Sequence, residues 1–123
     1  MPDGDGDSAV RPGSLTASVA AGESGPVIVL AGEADLNSAG QLAALISAQV
    51  ALGTRQLTVD LSGLRFADSA TVRTLALAAR TLRQRGGDMV LLSPQQPVAR
   101  ILTLTGADQM FTIRAETLGM PEP

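Results

Sequence analysis

LTVDLSGLRFADSATVRTLALAARTL, residues 57–82, holds two periodicities in succession. Leu57, Val59 and Leu61 alternate with Thr58 and Asp60, the period-2 pattern of a strand with one buried face. Val72, Leu75, Ala76, Ala79 and Leu82 then recur at helical spacing, which predicts an amphipathic helix. SGLRFADS joins the two patterns and reads as a turn. Asp68 and Ser69 fall where the helix should begin. A short side-chain oxygen there can accept a hydrogen bond from a first-turn amide that has no helical partner. The same end carries the positive pole of the helix dipole and tolerates an added anion. Capping alone accounts for an Asp-Ser pair at this point. A serine hydroxyl in the same place is also a candidate switch, and the pair by itself does not decide between the two.

Working outward, composition narrows the function classes. The 123 residues suit one domain with a single core, and 45% apolar content suits a globular chain. Only Phe66 and Phe111 are aromatic, so the core is expected to be aliphatic. The chain has no His, Cys, Lys, Trp or Tyr. Lacking His, it has no Ser-His nucleophile pair and no ordinary neutral-pH base. Lacking Cys and His, it has no zinc site of the usual kind. Lacking Lys, it has neither a Schiff base nor a phosphate-loop lysine. The twelve acids show no calcium-loop spacing. No catalytic, cofactor or metal residue is therefore assigned, and enzyme activity is not expected. A net charge of −3 argues against general nucleic-acid binding. No run reaches the ~20 apolar residues of a membrane helix, and MPDGDGDSAVRPG is not an apolar leader. The expected location is the cytoplasm, with no membrane contact. Arg73, Arg80, Arg83 and Arg85 gather on and after the central helix, where a solvated face is the simplest reading.

The remaining elements follow in order. Residues 1–13 are rich in charge, glycine and proline, and read as a disordered tail. Leu15–Val19 is a weak strand and Val27–Ala31 a buried one. The turn composition of residues 21–25 makes them a hairpin. A helix follows with Ala39, Leu42, Ala43, Ile46 and Val50 on one face, capped by Asn37 or Ser38 and ended by Gly53. Gly86-Gly87 stops the central helix before a short strand, Met89–Leu92. A third helix carries Val98, Ile101 and Leu102 and ends at Gly106. A last strand spans Met110–Ile113, and residues 116–123 form a polar C-terminal tail. The domain is thus placed at 14–115. The order ββαβαβαβ predicts an α/β fold: a mixed sheet that starts as a hairpin, continues with right-handed parallel crossovers, and carries its three helices on one face. Leu42, Ile46, Val59, Leu61, Leu75, Ala79, Val90 and Ile101 are the expected core.

Four stretches then resemble one family. Leu30-Ala31-Gly32-Glu33-Ala34-Asp35 looks like the strand-ending Gly-Glu-x-Asp of STAS domains. Val59-Asp60-Leu61-Ser62 followed by Phe66-Ala67-Asp68-Ser69 is similar to their strand, loop and Asp-Ser element. Gly86-Gly87 matches their spacer, and Leu104-Thr105-Gly106 with Met110-Phe111 their last helix-to-strand junction. Within the family, the likeness is to the single-domain anti-sigma factor antagonists of bacteria.

That resemblance implies a regulatory binding protein. Ser69 would be the phosphoacceptor and Asp68 the adjacent acid. Asp35, Asp68, Ser69, Ala70, Thr71 and Arg73 would form the partner surface. The implied partner is an anti-sigma factor that is itself a serine kinase of the histidine-kinase-like ATPase type, with a phosphatase that resets the switch. The alternative is a constitutive, non-phosphorylated STAS subunit or scaffold, serving a transporter ATPase or a stress-sensing assembly. The chain departs from the family pattern at Asp68-Ser69-Ala70-Thr71-Val72, where the family reads Asp-Ser, then Ser or Thr, then Gly and Leu. Thr71 replaces a glycine that lets another backbone approach. It is expected to narrow access to Ser69, and it offers a second hydroxyl.

Overall fold

The structure is a computed structural model that describes residues 14–115. The tails read at 1–13 and 116–123 lie outside the described residues. β1 (Leu15–Gly22) and β2 (Gly25–Ala34) form an antiparallel hairpin closed by Glu23 and Ser24. β3 (Gln56–Ala67), β4 (Asp88–Leu92) and β5 (Thr112–Arg114) add in parallel, so the sheet order follows chain order. The crossovers are α1 (Leu36–Ala51), α2 (Ser69–Gln84) and α3 (Gln96–Leu104), the last followed by a short 3-10 helix, Ala107–Met110.

Strand alternation divides the sheet into two faces. Ile28 and Leu30 of β2, Leu57, Val59 and Leu61 of β3, and Met89 and Leu91 of β4 point to one side. There they share a core with Leu42 and Ile46 of α1, Val72, Leu75, Ala79 and Leu82 of α2, and Val98 and Leu102 of α3. The three helices therefore lie on one face, as the element order predicts. Val27, Val90 and Leu92 are buried outside that cluster, on the other face. Val90 is buried as expected, but it does not meet the helices. Ile101 is only partly buried; Val98 and Leu102 turn the inner face of α3 to the core.

The stretch read as a turn after Leu61 is strand. β3 runs on to Ala67, with Leu64 and Ala67 buried. Two register shifts opposite Ala31 and Glu33 let it keep pairing with β2 while it bends. Glycine and arginine in the sequence hide this, because the buried residues sit three apart across a shift instead of two. Two glycines are required by close approach. A Cβ on Gly32, whose φ is +96°, would lie 2.3 Å from the Ser14 carbonyl oxygen, and one on Gly87 would lie 2.1 Å from that of Arg55. Gly87 thus lets the start of β4 come against the Arg55 backbone beside the start of β3, where the Asp88 amide donates to the Arg55 carbonyl at 3.0 Å.

Candidate functional site

The ends of β2 and β3 lie side by side. Ala34 partners Ala67, and the Asp68 amide donates to the Ala34 carbonyl at 3.1 Å. Each strand passes into its helix through an aspartate, so Asp35 and Asp68 stand together at one edge of the sheet. Asp35, not Asn37 or Ser38, is the cap of α1. Its side chain accepts from the Asn37 amide at 3.0 Å. Ser38 completes the cap from within the helix: its Oγ accepts from the Asp35 amide at 3.0 Å and donates to the Asp35 carbonyl at 3.1 Å. Asp68 caps α2 in the same way. Its Oδ1 accepts both from the Thr71 amide at 3.0 Å and from the Thr71 hydroxyl at 3.1 Å.

That arrangement leaves Ser69 free of capping. It is the first residue of α2, it is exposed, and its hydroxyl makes no hydrogen bond among the described residues. Asp68 is turned toward Thr71, so among the described residues no base is hydrogen-bonded to Ser69 to activate it as a nucleophile. Ser69 can receive a group but is not built to attack one. Arg73, one turn on, is exposed, and among the described residues no carboxylate lies within ion-pair distance of it. Ser69 and Arg73 border a shallow recess of about 230 Å³ whose far wall is Thr105, Gly106, Ala107 and Met110.

The structure thus brings Asp35, Asp68, Ser69 and Arg73 to one edge. Ala70 is half-buried beside them. Thr71 differs from the sequence reading: its side chain is fully buried, at 0% exposure. Its hydroxyl is committed to Asp68 and its methyl does not project, so it neither offers a second acceptor nor walls off Ser69. Three features of the site escape sequence reading. Leu36 and Phe66 flank the aspartates and are 73% and 48% exposed, an apolar pair at the rim. Leu36 gives a signal after the fact, since it lies off the buried stripe of α1. Glu33 and Arg65 pair loosely across the same rim at 3.9 Å. The third is the far wall of the recess, which local pattern does not reveal because the α3 crossover brings it there. Among the described residues no cluster of acids could hold a metal ion, and no helix is long and apolar enough to cross a membrane.

Comparison with known proteins agrees with this architecture. Residues 17–114 match the family model described as Mlab, STAS domain. The chain is 32% identical over 87 residues to BtrV of Bordetella bronchiseptica, a protein named as an anti-sigma factor antagonist; the match spans 71% of this chain and 75% of that one. The crystal structure of an anti-sigma factor antagonist from Mycobacterium paratuberculosis superposes with a TM-score of 0.79 at 29% identity, covering 89% of this chain and 92% of that one. The Bacillus cell fate determinant SpoIIAA, in its phosphorylated form, shares the fold with a TM-score of 0.66 at 23% identity, over 84% and 93% of the two chains.

Proposed function

Because the chain belongs to the STAS domain family, with anti-sigma factor antagonists among its relatives, we propose that it binds an anti-sigma factor of the serine-kinase type and is released when Ser69 is phosphorylated. One observation carries the reading. Ser69 is exposed at the start of α2 with its hydroxyl uncommitted, because the neighbouring Asp68 does the capping. A serine needed as a cap could not be modified without loosening its helix; this one is free of that duty. Asp35, Asp68, Ala70 and Arg73 surround it, and the exposed Leu36 and Phe66 supply the apolar contact a partner needs. Thr71 serves from below, by holding Asp68. The partner is an ATPase kinase that acts as the anti-sigma factor, a phosphatase reverses the mark, and the exchange takes place in the cytoplasm.

The test is incubation of the full chain with candidate anti-sigma kinases of its own organism and ATP, followed by intact mass and peptide mapping. One phosphate on Ser69, absent from Ser69→Ala, is the expected result. Stable complex formation with no phosphate transfer would replace the switch with a second reading, a constitutive STAS subunit or scaffold. Ala70-Thr71, where the family has other residues, favours that second reading. The burial of Thr71 removes the steric part of its case.

A further inference from the structure

Among the described residues, β1 is an unprotected sheet edge. Edge strands in soluble proteins are usually kept from pairing by charge, proline, a bulge or shortness. The opposite edge obeys: β5 has three residues and ends in Arg114. β1 has eight, LTASVAAG, with no charge and no proline. Its pairing with β2 runs unbroken from Leu15–Gly32 to Gly22–Gly25. Residues 18–22 are all exposed. Among the described residues nothing pairs with its outer side.

The backbone parity of that edge is determined. In an antiparallel ladder, alternate residues give both N–H and C=O to the same neighbour. The Glu33 amide donates to the Ser14 carbonyl at 2.9 Å, which assigns the even-numbered residues of β1 to β2. Leu15, Ala17, Val19 and Ala21 therefore turn their amides and carbonyls outward.

We propose that β1 pairs with β1 of a second copy of this chain, antiparallel about a two-fold axis through Ser18, to join two five-stranded sheets into one. Only this register satisfies every outward residue of both strands. Ala17 faces Val19, Leu15 faces Ala21, Thr16 faces Ala20, and Ser18 faces Ser18 of the second copy. Centring on Val19 instead would set Leu15 against Glu23 in the turn, and centring on Ala17 would leave Ala21 with no partner within Leu15–Gly22. The strand suits a copy of itself, since every opposed pair is uncharged and none sets like charges together. α1 packs mainly on β2 and α2, which leaves the edge open. Stable dimers bury about 1,200–2,000 Å², more than one pair of strand edges provides, so the association is weak and concentration-dependent.

The proposal is independent of the partner surface at Ser69, and the absence of cysteine makes it testable. In this register Ser18 is a non-hydrogen-bonded pair with Cα atoms about 4.5 Å apart, within disulfide reach. Ala20→Cys is the control: also exposed, on the same face, but opposite Thr16 and not itself. Under mild oxidation of the full-length variants, Ser18→Cys should form covalent dimer roughly tenfold or more faster than Ala20→Cys, because the pairing raises the local thiol concentration. Ser18→Lys sets two ammonium groups face to face. It should sediment as monomer at concentrations near 1 mM, where a contact of millimolar Kd leaves the natural chain partly dimeric. Circular dichroism checks that each variant is folded. Equal cross-linking by the two cysteine variants, or a natural chain that stays monomeric throughout, overturns the proposal.

Discussion

Two neighbouring side chains at the start of α2 have separate tasks. Asp68 holds the helix end through Thr71, and Ser69 holds nothing. The difference should be measurable in urea unfolding. Asp68→Ala removes a cap and should lower stability by about 0.5–2 kcal/mol. Thr71→Val keeps the shape of a fully buried side chain but deletes its hydrogen bond, a loss of about 0.5–1.5 kcal/mol. Ser69→Ala should stay within ~0.5 kcal/mol of the natural chain, as exposed substitutions usually do. If Ser69→Ala proves as damaging as Asp68→Ala, Ser69 is a cap and the switch loses its basis. At this scale the sequence was only partly readable. It placed an aspartate and a serine at a helix start but could not tell which one caps. It also put Thr71 at the surface, because the inward turn of a first-turn threonine depends on the hydrogen bond that waits for it. Asp35 was missed as the cap of α1 for a related reason: Asn37 and Ser38 are equally good formers of caps, and only the length of β2 decides among the three.

Among the elements, α2 carries the site and half of its face is core. Val72, Leu75, Ala79 and Leu82 are buried, while Leu77 is 52% exposed on the opposite side. Leu75→Ala should cost roughly 2–5 kcal/mol, since it leaves a cavity beneath the helix. Leu77→Ala should stay within about 0.5 kcal/mol, as an exposed change does. Comparable losses at both positions would mean that the helix is rotated from the face assigned to it. The stripe of α2 was legible because its period is unbroken over about three turns, from Val72 to Leu82. β3 was not legible beyond Leu61, since alternation fails where the pairing with β2 shifts register. The 3-10 helix Ala107–Met110 likewise has no periodicity to detect, being a single turn. Its importance comes from its place: Gly106, with φ +75°, reverses the chain so that Ala107 and Met110 wall the recess beside Ser69.

At the scale of the molecule, the proposed switch must alter binding without altering the fold. A phosphate on Ser69 adds about −1.5 to −2 charges. Its position at the N-terminus of α2 favours that charge by about 0.3–1 kcal/mol at an exposed site. Arg73, which meets no carboxylate among the described residues and borders the same recess, adds attraction, while Asp35 and Asp68 at the same edge oppose it. With the contributions opposed, the melting temperature of the phosphoprotein should stay close to that of the natural chain. A docked partner changes the balance. Leu36 and Phe66 would be covered, water would leave the rim, and the phosphate would lie against groups that had faced a neutral hydroxyl. An uncompensated charge inside an interface costs several kcal/mol. Moving a complex from 99:1 bound to 1:99 requires about 5.5 kcal/mol, so desolvation of one phosphate can supply most of the swing. Ser69→Ala should therefore hold its partner whether or not ATP is present, and Ser69→Asp should bind it weakly. Arg73→Glu should weaken the unmodified complex at unchanged melting temperature. Calorimetric titration of the partner with authentic Ser69 phosphoprotein is the strict measurement, because aspartate has one charge where phosphate approaches two. Equal affinity for the two forms would leave the surface intact as a binding site and remove phosphorylation as its control.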